Sequence, residues 1–230
     1  MYKFMEVDCR KCKVRECIIA KHCLAKWKRK INACKITSLY KKNQPIVKEE
    51  TTAMGIYIVQ SGTVLIISEK ENARRQIVRL AGKGEILEHK ISKNHLSSPF
   101  TAEAFLDSQI CYIPKDTFFQ LLNEDQQLTI YLESYYTNKY IEAEKRLNNF
   151  VLMSIREKVA DALLIIAAAF NGEVPFLRKE LGELIGISAE QVSRELKKLM
   201  NDGIIVKIGQ NKKIVIKDIS KLQNIVAVYN

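Results

Sequence analysis

The stretch that decides the fold is Leu177–Met200, which reads Leu-Arg-Lys-Glu-Leu-Gly-Glu-Leu-Ile-Gly-Ile-Ser-Ala-Glu-Gln-Val-Ser-Arg-Glu-Leu-Lys-Lys-Leu-Met. Its first part predicts a short helix that ends at Gly186, because glycine is typical of a helix C-terminus. Ser188 is placed to cap a second helix. The second helix has apolar residues at the spacing of a buried stripe, namely Val192, Leu196 and Leu199. Two helices joined by so tight a turn predict a helix-turn-helix.

The second helix also has a polar leading edge, which is typical of a recognition helix in a DNA major groove. Its candidate DNA-contacting residues are Ser188, Ala189, Glu190, Gln191, Ser193 and Arg194. Arg194 can make a bidentate contact with guanine, and Glu190 can accept from the cytosine amino group. Nearby basic side chains are candidate phosphate contacts: Arg178, Lys179, Lys197, Lys198, Lys207, Lys212 and Lys213. The alternative is a helix-turn-helix that serves only packing or protein contacts.

Two short apolar runs, at 204–206 and 213–216, follow the Asp202-Gly203 turn and predict a basic β-hairpin wing. Residues 151–230 are therefore expected to form a winged helix-turn-helix domain. We expect the helix that opens this domain to run from Ser154 to Phe170 and to stop at Asn171-Gly172.

Length and charge are consistent with a DNA-binding protein. The chain has 230 residues, of which 47% are hydrophobic, and it carries a net charge of +11. This length suits two modest domains, and the positive charge favours a polyanionic partner such as double-stranded DNA. No apolar run approaches the roughly 20 residues of a membrane span, and the N-terminus lacks a signal sequence. We expect a cytoplasmic protein with no membrane partner.

Residues 39–114 have a β pattern. Short runs rich in β-branched residues lie at 55–60, 63–67, 76–80 and 109–113, with turn signals between them. Such spacing predicts an antiparallel sandwich or barrel. Ser61-Gly62 is predicted to be a hairpin turn, because it lies directly between two of the runs. The polar stretch 88–99 is expected to be a longer loop.

Helical periodicity begins at residue 115. Apolar residues recur at three- and four-residue steps from Leu128 to Phe150. A helix with so long an apolar stripe needs a partner, and the simplest partner is the same helix of a second copy. We therefore expect a dimerisation helix region at 115–150 and a homodimer. The alternative is a helix buried within one chain.

Residues 1–38 form a basic segment that contains five of the six cysteines. A short helix is expected around residues 20–32, with Leu24, Trp27 and Ile31 at helical spacing. The spacing Cys-x2-Cys-x4-Cys-x5-Cys is close enough for a metal site, and it involves Cys9, Cys12, Cys17 and Cys23. A four-cysteine zinc site, an iron–sulfur cluster and direct thiol redox sensing all fit this pattern. The sixth cysteine, Cys111, lies in a predicted strand, where inert buried cysteines are also common.

Taken together, the chain resembles bacterial transcription regulators of the Crp/Fnr family (cyclic AMP receptor and fumarate-nitrate reduction regulators). The resemblance covers roughly residues 38–216. It rests on Gly-Ile-Tyr-Ile-Val-Gln-Ser-Gly at 55–62, Leu-Ala-Gly-Lys-Gly-Glu at 80–85, the long helix and the winged helix. It implies an α+β fold: a cupin-like antiparallel β-roll of the cyclic-nucleotide-binding type, a long dimerisation helix and a C-terminal winged helix-turn-helix.

The resemblance also implies a function. Family members bind pseudo-palindromic DNA as homodimers and act with RNA polymerase. Glu190, Ser193 and Arg194 are similar to the residues with which the Fnr-like branch reads a TTGAT-like half-site. Position 189 is alanine, whereas the cyclic AMP branch has arginine there.

The Fnr-like branch carries an N-terminal Cys-x2-Cys-x5-Cys and a distant cysteine in the β-roll. Cys9, Cys12, Cys17 and Cys111 resemble this set, with one spacing shorter by a residue. The resemblance therefore implies an iron–sulfur cluster of the 4Fe-4S type that responds to oxygen or nitric oxide. Cys23 is an alternative ligand, and zinc or haem are alternative cofactors.

Cyclic AMP is disfavoured as the effector. In the family an Arg-Ser pair neutralises the cyclic phosphate, whereas residues 96–102 here read Leu-Ser-Ser-Pro-Phe-Thr-Ala. A buried phosphate without a cation is poorly compensated. Residues that can still contribute to an effector pocket in the β-roll are Gly84, Glu85, Ser97, Ser98 and Thr101. A small molecule or haem bound there, with structural zinc or inert cysteines, is the alternative way to control the same regulator.

The sequence does not predict an enzyme. A cupin-type metal centre needs His-x-His, whereas His89 and His95 are six residues apart. Neither a nucleophile–base pair nor a phosphate-binding glycine loop stands out. A protein of a different class, an iron–sulfur electron carrier whose C-terminal helices only dock partners, is the remaining alternative.

Overall fold

The computed structural model describes residues 8–52, 54–70, 74–87, 97–170, 173–175, 178–208 and 213–226. The chain forms two compact units, residues 1–141 and 142–230. The predictions for Leu177, Lys212, His89, His95, the Asn171-Gly172 stop and most of the 88–99 loop lie outside the described residues. No helix in the described part of the chain is long and apolar enough to cross a membrane.

Within its described residues, the first unit contains two short helices, seven strands and a helical end. Its helices and strands are α1 (Ile18–His22), α2 (Ala25–Cys34), β1 (Ile36–Tyr40), β2 (Pro45–Val47), β3 (Gly55–Ser61), β4 (Val64–Lys70), β5 (Arg74–Ala81), β6 (Thr101–Ala104), β7 (Ser108–Pro114), α3 (Lys115–Glu124) and the start of α4 (Gln126–Leu152). All its strand pairs are antiparallel, in a three-stranded sheet β1-β7-β3 and a four-stranded sheet β2-β6-β4-β5. The four runs predicted as strands are confirmed.

The predicted hairpin at Ser61-Gly62 is wrong. β3 pairs with β7, whereas β4 pairs with β5 and β6, so the turn carries the chain from one sheet to the other. Two adjacent apolar runs have the same pattern whether their strands pair or face each other across a core. The sequence pattern alone therefore cannot distinguish these two arrangements.

Apolar side chains that alternate along the strands contribute to two hydrophobic clusters. One lies inside the β-roll and includes Val59, Ile66 and Ile110. The other packs α1, α2, α3 and α4 against the outer face of the β1-β7-β3 sheet. Its buried members include Ile19, Trp27, Ile31, Ile58, Ile113, Phe118 and Leu128. The cysteine-rich segment is therefore packed against the β-roll.

The N-terminal helix prediction is only partly correct. The chain forms two helices, interrupted at Cys23 and Leu24, and Leu24 is exposed while Trp27 and Ile31 are buried. The buried carboxylate of Asp125 explains this break. It accepts hydrogen bonds from the backbone N–H groups of Leu24, at 3.2 Å, and of Leu128, at 3.1 Å. One side chain thus satisfies free donors at the starts of both α2 and α4.

The second unit begins with the end of α4. It continues with α5 (Ile155–Ala169), β8 (Glu173–Val174), α6 (Arg178–Ile185), α7 (Ala189–Asn201), β9 (Ile205–Ile208), β10 (Lys213–Ile216) and α8 (Ile219–Val226). Ser154 caps α5 in a capping box with Glu157, as its position before the predicted helix suggested. The predicted wing strands pair as β9 and β10, and β8 adds a third strand that the sequence pattern did not reveal.

A recognition helix and a cysteine pocket

The predicted helix-turn-helix is present, with α6 and α7 as its two helices. Gly186 joins them with a φ of +68°, in the left-handed region that favours glycine. A Cβ there would overlap the ring of Phe150 near the end of α4. Arg146, one turn earlier, donates a hydrogen bond of 2.9 Å to the carbonyl oxygen of Leu184. The end of α4 therefore holds the turn in place.

The start of α7 is fixed by a reciprocal pair of hydrogen bonds. The Ser188 hydroxyl accepts from the backbone N–H of Gln191 at 3.2 Å, and the Gln191 side chain accepts from the backbone N–H of Ser188 at 3.0 Å. This capping box confirms the predicted helix start. It also means that Gln191, a candidate DNA-contacting residue, is engaged by the helix itself.

The buried stripe of α7 is as predicted, with Val192, Leu196 and Leu199 inside. Glu190 and Arg194 are exposed one turn apart, whereas Ala189 and Ser193 are half-buried. The pKa of Glu190 lies below its ordinary value, mainly because of a hydrogen bond with the Ser188 side chain, with a smaller contribution from Arg194. The Glu190 carboxylate is therefore ionised at neutral pH and can accept hydrogen bonds.

Basic side chains surround this face. Exposed cations on α6, α7 and the wing are Arg178, Lys179, Arg194, Lys197, Lys198, Lys207 and Lys213. Arg178 donates to the Ser193 hydroxyl at 3.1 Å and so links the two helices. Lys198 pairs with Glu195 at 2.7 Å, and Lys179 lies 3.8 Å from Glu183. On this surface the exposed pair Glu190 and Arg194 is flanked by positive charge, which suits phosphate contacts on both sides.

The second site is a pocket in the first unit on which four cysteines converge. Cys9, Cys12 and Cys17 come from the turns that precede α1, and Cys111 comes from the middle of β7. The other lining residues are Val14, Ile19, Ala20, Lys35, Ile58, Val59, Gln60 and Ile113. The unfilled space, including the opening to solvent, is about 420 Å³. These are the four ligands named from the sequence resemblance.

Burial controls the chemistry of these thiols. It raises the pKa of Cys9 to about 11, although the positive charge of Lys35 works against the rise. Burial also raises the pKa of Cys17 and of Cys111, and for Cys111 a hydrogen bond with Thr37 opposes the rise. The thiols of Cys9, Cys17 and Cys111 are therefore protonated at neutral pH, and a metal that bound them would displace the protons.

Two other cysteines lie outside the pocket. Cys23 is buried in the cluster beneath α1, where its thiol donates to the carbonyl oxygen of Leu24 at 3.7 Å. The thiol of Cys34 donates to the carbonyl oxygen of Ile31 at 3.5 Å. This placement favours Cys111 over Cys23 as the fourth ligand.

Four thiols are a donor set that either a zinc ion or an iron–sulfur cluster can take. Within the described part of the chain, no three His, Cys, Asp or Glu side chains are close enough to share one metal ion. The four thiols therefore line one pocket without forming a preassembled ligand set, and a cluster would need them to move. Cys9, Cys12 and Cys17 precede α1 and lie outside the helices and strands.

The predicted effector residues of the β-roll are not brought together. Glu85 forms an ion pair of 2.6 Å with Lys139 of α4. Ser98 is buried and donates to the carbonyl oxygen of Phe100, and the Thr101 hydroxyl accepts from the backbone N–H of Glu49. Ser97 is exposed in a bridge with Thr52, and Gly84 packs against the cysteine-rich segment. Their role in effector binding stays a prediction.

Comparison with known proteins matches both units. A cyclic nucleotide-binding domain model matches residues 38–125, and a Crp-like helix-turn-helix domain model matches residues 157–225. A probable transcriptional activator of Rhizobium leguminosarum bv. viciae is 22% identical, over 96% of this chain and 94% of that one. The nitrogen fixation regulation protein FixK of Bradyrhizobium diazoefficiens is 25% identical, over 72% of each chain.

Among solved structures, FixK2 from Bradyrhizobium japonicum superimposes with a TM-score of 0.73 at 25% identity, and the match covers 83% of this chain and 96% of that one. The matched proteins are regulators of transcription, which confirms the expectation that the chain is not an enzyme. With its β-roll, long helix and helix-turn-helix all in place, the chain belongs to the Crp/Fnr family of DNA-binding transcription regulators.

Proposed function

We propose that the protein is a homodimeric regulator that binds a TTGAT-like palindrome, acts with RNA polymerase, and is switched by a cysteine-ligated iron–sulfur cluster sensitive to oxygen or nitric oxide. The observation that carries the sensing part is the convergence of Cys9, Cys12, Cys17 and Cys111 on one pocket. When bound, such a cluster supplies reactivity towards oxygen that thiols alone lack. The fold and the DNA-binding class rest on the family.

The homodimer is supported by the exposed apolar surface of α4. Tyr140, Leu147 and Val151 are 64%, 68% and 72% exposed, and Ile130 and Ile141 are also exposed. Few monomeric proteins leave so many large apolar side chains of one helix in water. A second copy of α4 is the proposed cover, since closed two-fold symmetry is the commonest form of self-association.

The reading of DNA is assigned to Glu190 and Arg194, which lie exposed on one face of α7. Arg194→Ala is expected to lower the preference for a TTGAT-like palindrome over a scrambled duplex by about 1–3 kcal/mol. The matched control is Lys197→Ala, which should weaken binding to both duplexes equally and reduce the salt dependence. Competition titrations at several salt concentrations measure both effects. An unchanged preference in Arg194→Ala would refute the reader assignment.

Contacts within the first unit provide a route from the cysteines to α4. A Cβ at Gly84 would lie 2.6 Å from the carbonyl carbon of Glu16 and 2.7 Å from the nitrogen of Cys17, so the segment packs directly on this turn. The next residue, Glu85, forms the ion pair with Lys139 on α4. A displacement of Cys17 would therefore reach α4 through two neighbouring residues, Gly84 and Glu85.

Two further contacts touch the same face of α4. The backbone N–H of Ile86 donates to the Tyr135 hydroxyl at 3.2 Å, and the ring of His22 stacks on Tyr131 with centroids 3.4 Å apart. Tyr131, Tyr135 and Lys139 are each four residues apart, which places them on one side of the helix. We propose that loss of the cluster releases the N-terminal segment and loosens α4 through these contacts.

The first test is the content of iron, acid-labile sulfide and zinc in anaerobically purified protein, together with its visible spectrum. We expect about four iron and four sulfide per chain, with absorbance that bleaches in air. Zinc alone would make the cysteine pocket structural and refute the proposed switch. Absence of any metal would also refute it and direct the search for the effector to the β-roll.

A further inference from the structure

One of the four pocket cysteines, Cys111, has polar side chains from both neighbouring strands at its sulfur. Cys9, Cys12 and Cys17 come from turns, whereas Cys111 is held in the middle of a sheet, with Thr37 opposite it on β1 and Ile58 opposite it on β3. The Thr37 hydroxyl lies 3.7 Å from the Cys111 sulfur, within the range of a hydrogen bond to sulfur. The neighbouring strand thus supplies a polar partner to this sulfur.

Gln60 provides a second polar contact. The Cys111 thiol donates to the side-chain oxygen of Gln60 at 3.9 Å. Gln60 falls at a shift of register between β3 and β7, where Val59 pairs with Ile110 and Ser61 with Gln109. Such a bulge inserts one residue into a strand and redirects its side chain, and bulges are common next to functional sites.

The pocket also contains a cation. Lys35 follows the last residue of α2 and lines the pocket with Gln60 and Cys111. It therefore brings a positive charge to the pocket that Cys9 and Cys111 also line. None of these neighbours was singled out from the sequence as a functional residue, because only the pairing of β1, β3 and β7 brings them to Cys111.

We infer that Thr37, Gln60 and Lys35 form a polar environment around Cys111 that stabilises its thiolate as a cluster ligand and thereby sets the lifetime of the cluster in air. The inference rests on the proposed iron–sulfur function. In the ligated state the Thr37 hydroxyl must donate, since a thiolate only accepts. Gln60 must then present its amide N–H₂ in place of the oxygen that now receives the thiol proton.

The expected consequence follows from how groups that hydrogen-bond to a metal ligand act on the metal site. Hydrogen bonds and positive charge near a ligating sulfur stabilise the reduced, more negative cluster and raise its reduction potential. Removing them should therefore make the cluster easier to oxidise. Both the potential and the rate of aerobic bleaching report this effect without any measurement of DNA binding.

The experiment uses the full chain, purified without oxygen. Thr37→Val removes the hydroxyl at nearly constant shape, and Thr37→Ser restores it. Lys35→Gln removes the charge, and Lys35→Arg retains it. Ser38→Ala, on the same strand but on its other face, is the control for general perturbation of β1. Iron and sulfide contents establish loading before each measurement.

We expect Thr37→Val and Lys35→Gln to have more negative midpoint potentials and to bleach in air roughly two- to tenfold faster than wild type, the range that the net contribution of one typical hydrogen bond covers. Thr37→Ser, Lys35→Arg and Ser38→Ala should match wild type. A loaded cluster with unchanged potential and lifetime in Thr37→Val and Lys35→Gln would overturn this inference alone. Wild-type protein without iron and sulfide would overturn the proposed function, and this inference with it.

Discussion

The recognition helix and the cysteine pocket are built in opposite ways. The two helices, the turn and the cap of the helix-turn-helix all lie within one stretch of sequence, from Arg178 to Gly203, and this stretch is supported by α5 and by Arg146 and Phe150 of α4. The pocket instead joins Cys9, Cys12 and Cys17 to a strand residue some hundred positions later. The comparison shows that local patterns specify the helix-turn-helix, whereas the cysteine pocket depends on how the β-roll pairs its strands.

The largest expected effect comes from substituting Cys111, the pocket cysteine that is distant in sequence from the other three. Cys111→Ser should prevent loading of the cluster or reduce it to a small fraction, because one of four ligands is lost. Cys34→Ser and Cys23→Ser are matched controls, since neither cysteine lines the pocket. Iron and sulfide analysis of the anaerobic proteins measures the effect. If Cys111→Ser were fully loaded and Cys23→Ser had lost its iron and sulfide, all the ligands would lie in the N-terminal segment. The contrast with the helix-turn-helix would then disappear.

The next prediction concerns the turn of the helix-turn-helix. Gly186 and Gly203 both have positive φ, of +68° and +70°, but a Cβ at Gly186 would overlap Phe150, whereas a Cβ at Gly203 would meet nothing within 4 Å. Gly203→Ala should cost about 1–3 kcal/mol of unfolding free energy through backbone strain alone. Gly186→Ala should cost clearly more. Urea denaturation gives both values, and a Gly186→Ala cost equal to that of Gly203→Ala would mean that Phe150 does not constrain the turn.

The buried thiol of Cys23 should make the free energy of unfolding depend on pH. Burial, with a smaller contribution from Asp125, raises the pKa of Cys23 from 9.0 to about 12. Between these two pH values the unfolded chain loses the thiol proton while the folded chain keeps it, so rising pH favours unfolding. The metal-free protein should lose stability above pH 9 with a contribution from Cys23 of about 1.4 kcal/mol per pH unit. Cys23→Ala should show a correspondingly shallower slope, and an identical slope would contradict the assigned burial.

The smallest effect removes the helix cap. Ser188→Ala should destabilise the protein by about 1 kcal/mol, because the backbone N–H of Gln191 loses its partner. Ser193→Ala is the control, since that hydroxyl bonds only to Arg178 among the interactions described. Thermal unfolding of both variants measures the difference. Equal stability would show that the capping box contributes nothing in solution.

The same contrast explains what could be predicted from the sequence. The helix-turn-helix, its cap at Ser188 and its buried stripe follow from spacing and side-chain chemistry, and they are confirmed. The strands were identified, but the Ser61-Gly62 turn was assigned to a hairpin because strand periodicity does not say which strands pair. The two-residue strand β8 is too short to leave a pattern.

The cysteine pocket shows a similar limit. The resemblance named its four cysteines, yet residues alone could not separate Cys23 from Cys111, because spacing constrains only neighbours along the chain. Packing separates them, since Cys23 turns into the core beneath α1 while Cys111 faces the pocket. No pattern in the sequence indicates that Lys35 and Gln60 lie in this pocket. Lys35 is positioned by the end of α2, and Gln60 by a bulge in β3.

The most direct test of the account compares DNA affinity before and after exposure to air. Anaerobically purified wild-type protein is titrated with a TTGAT-like palindromic duplex, and the titration is repeated on the same preparation after its visible absorbance has bleached. We expect the affinity to fall by about 5- to 150-fold on bleaching, the usual range of coupling between two sites. Equal affinity in the two states would contradict the claim that the cysteine pocket controls the recognition helix.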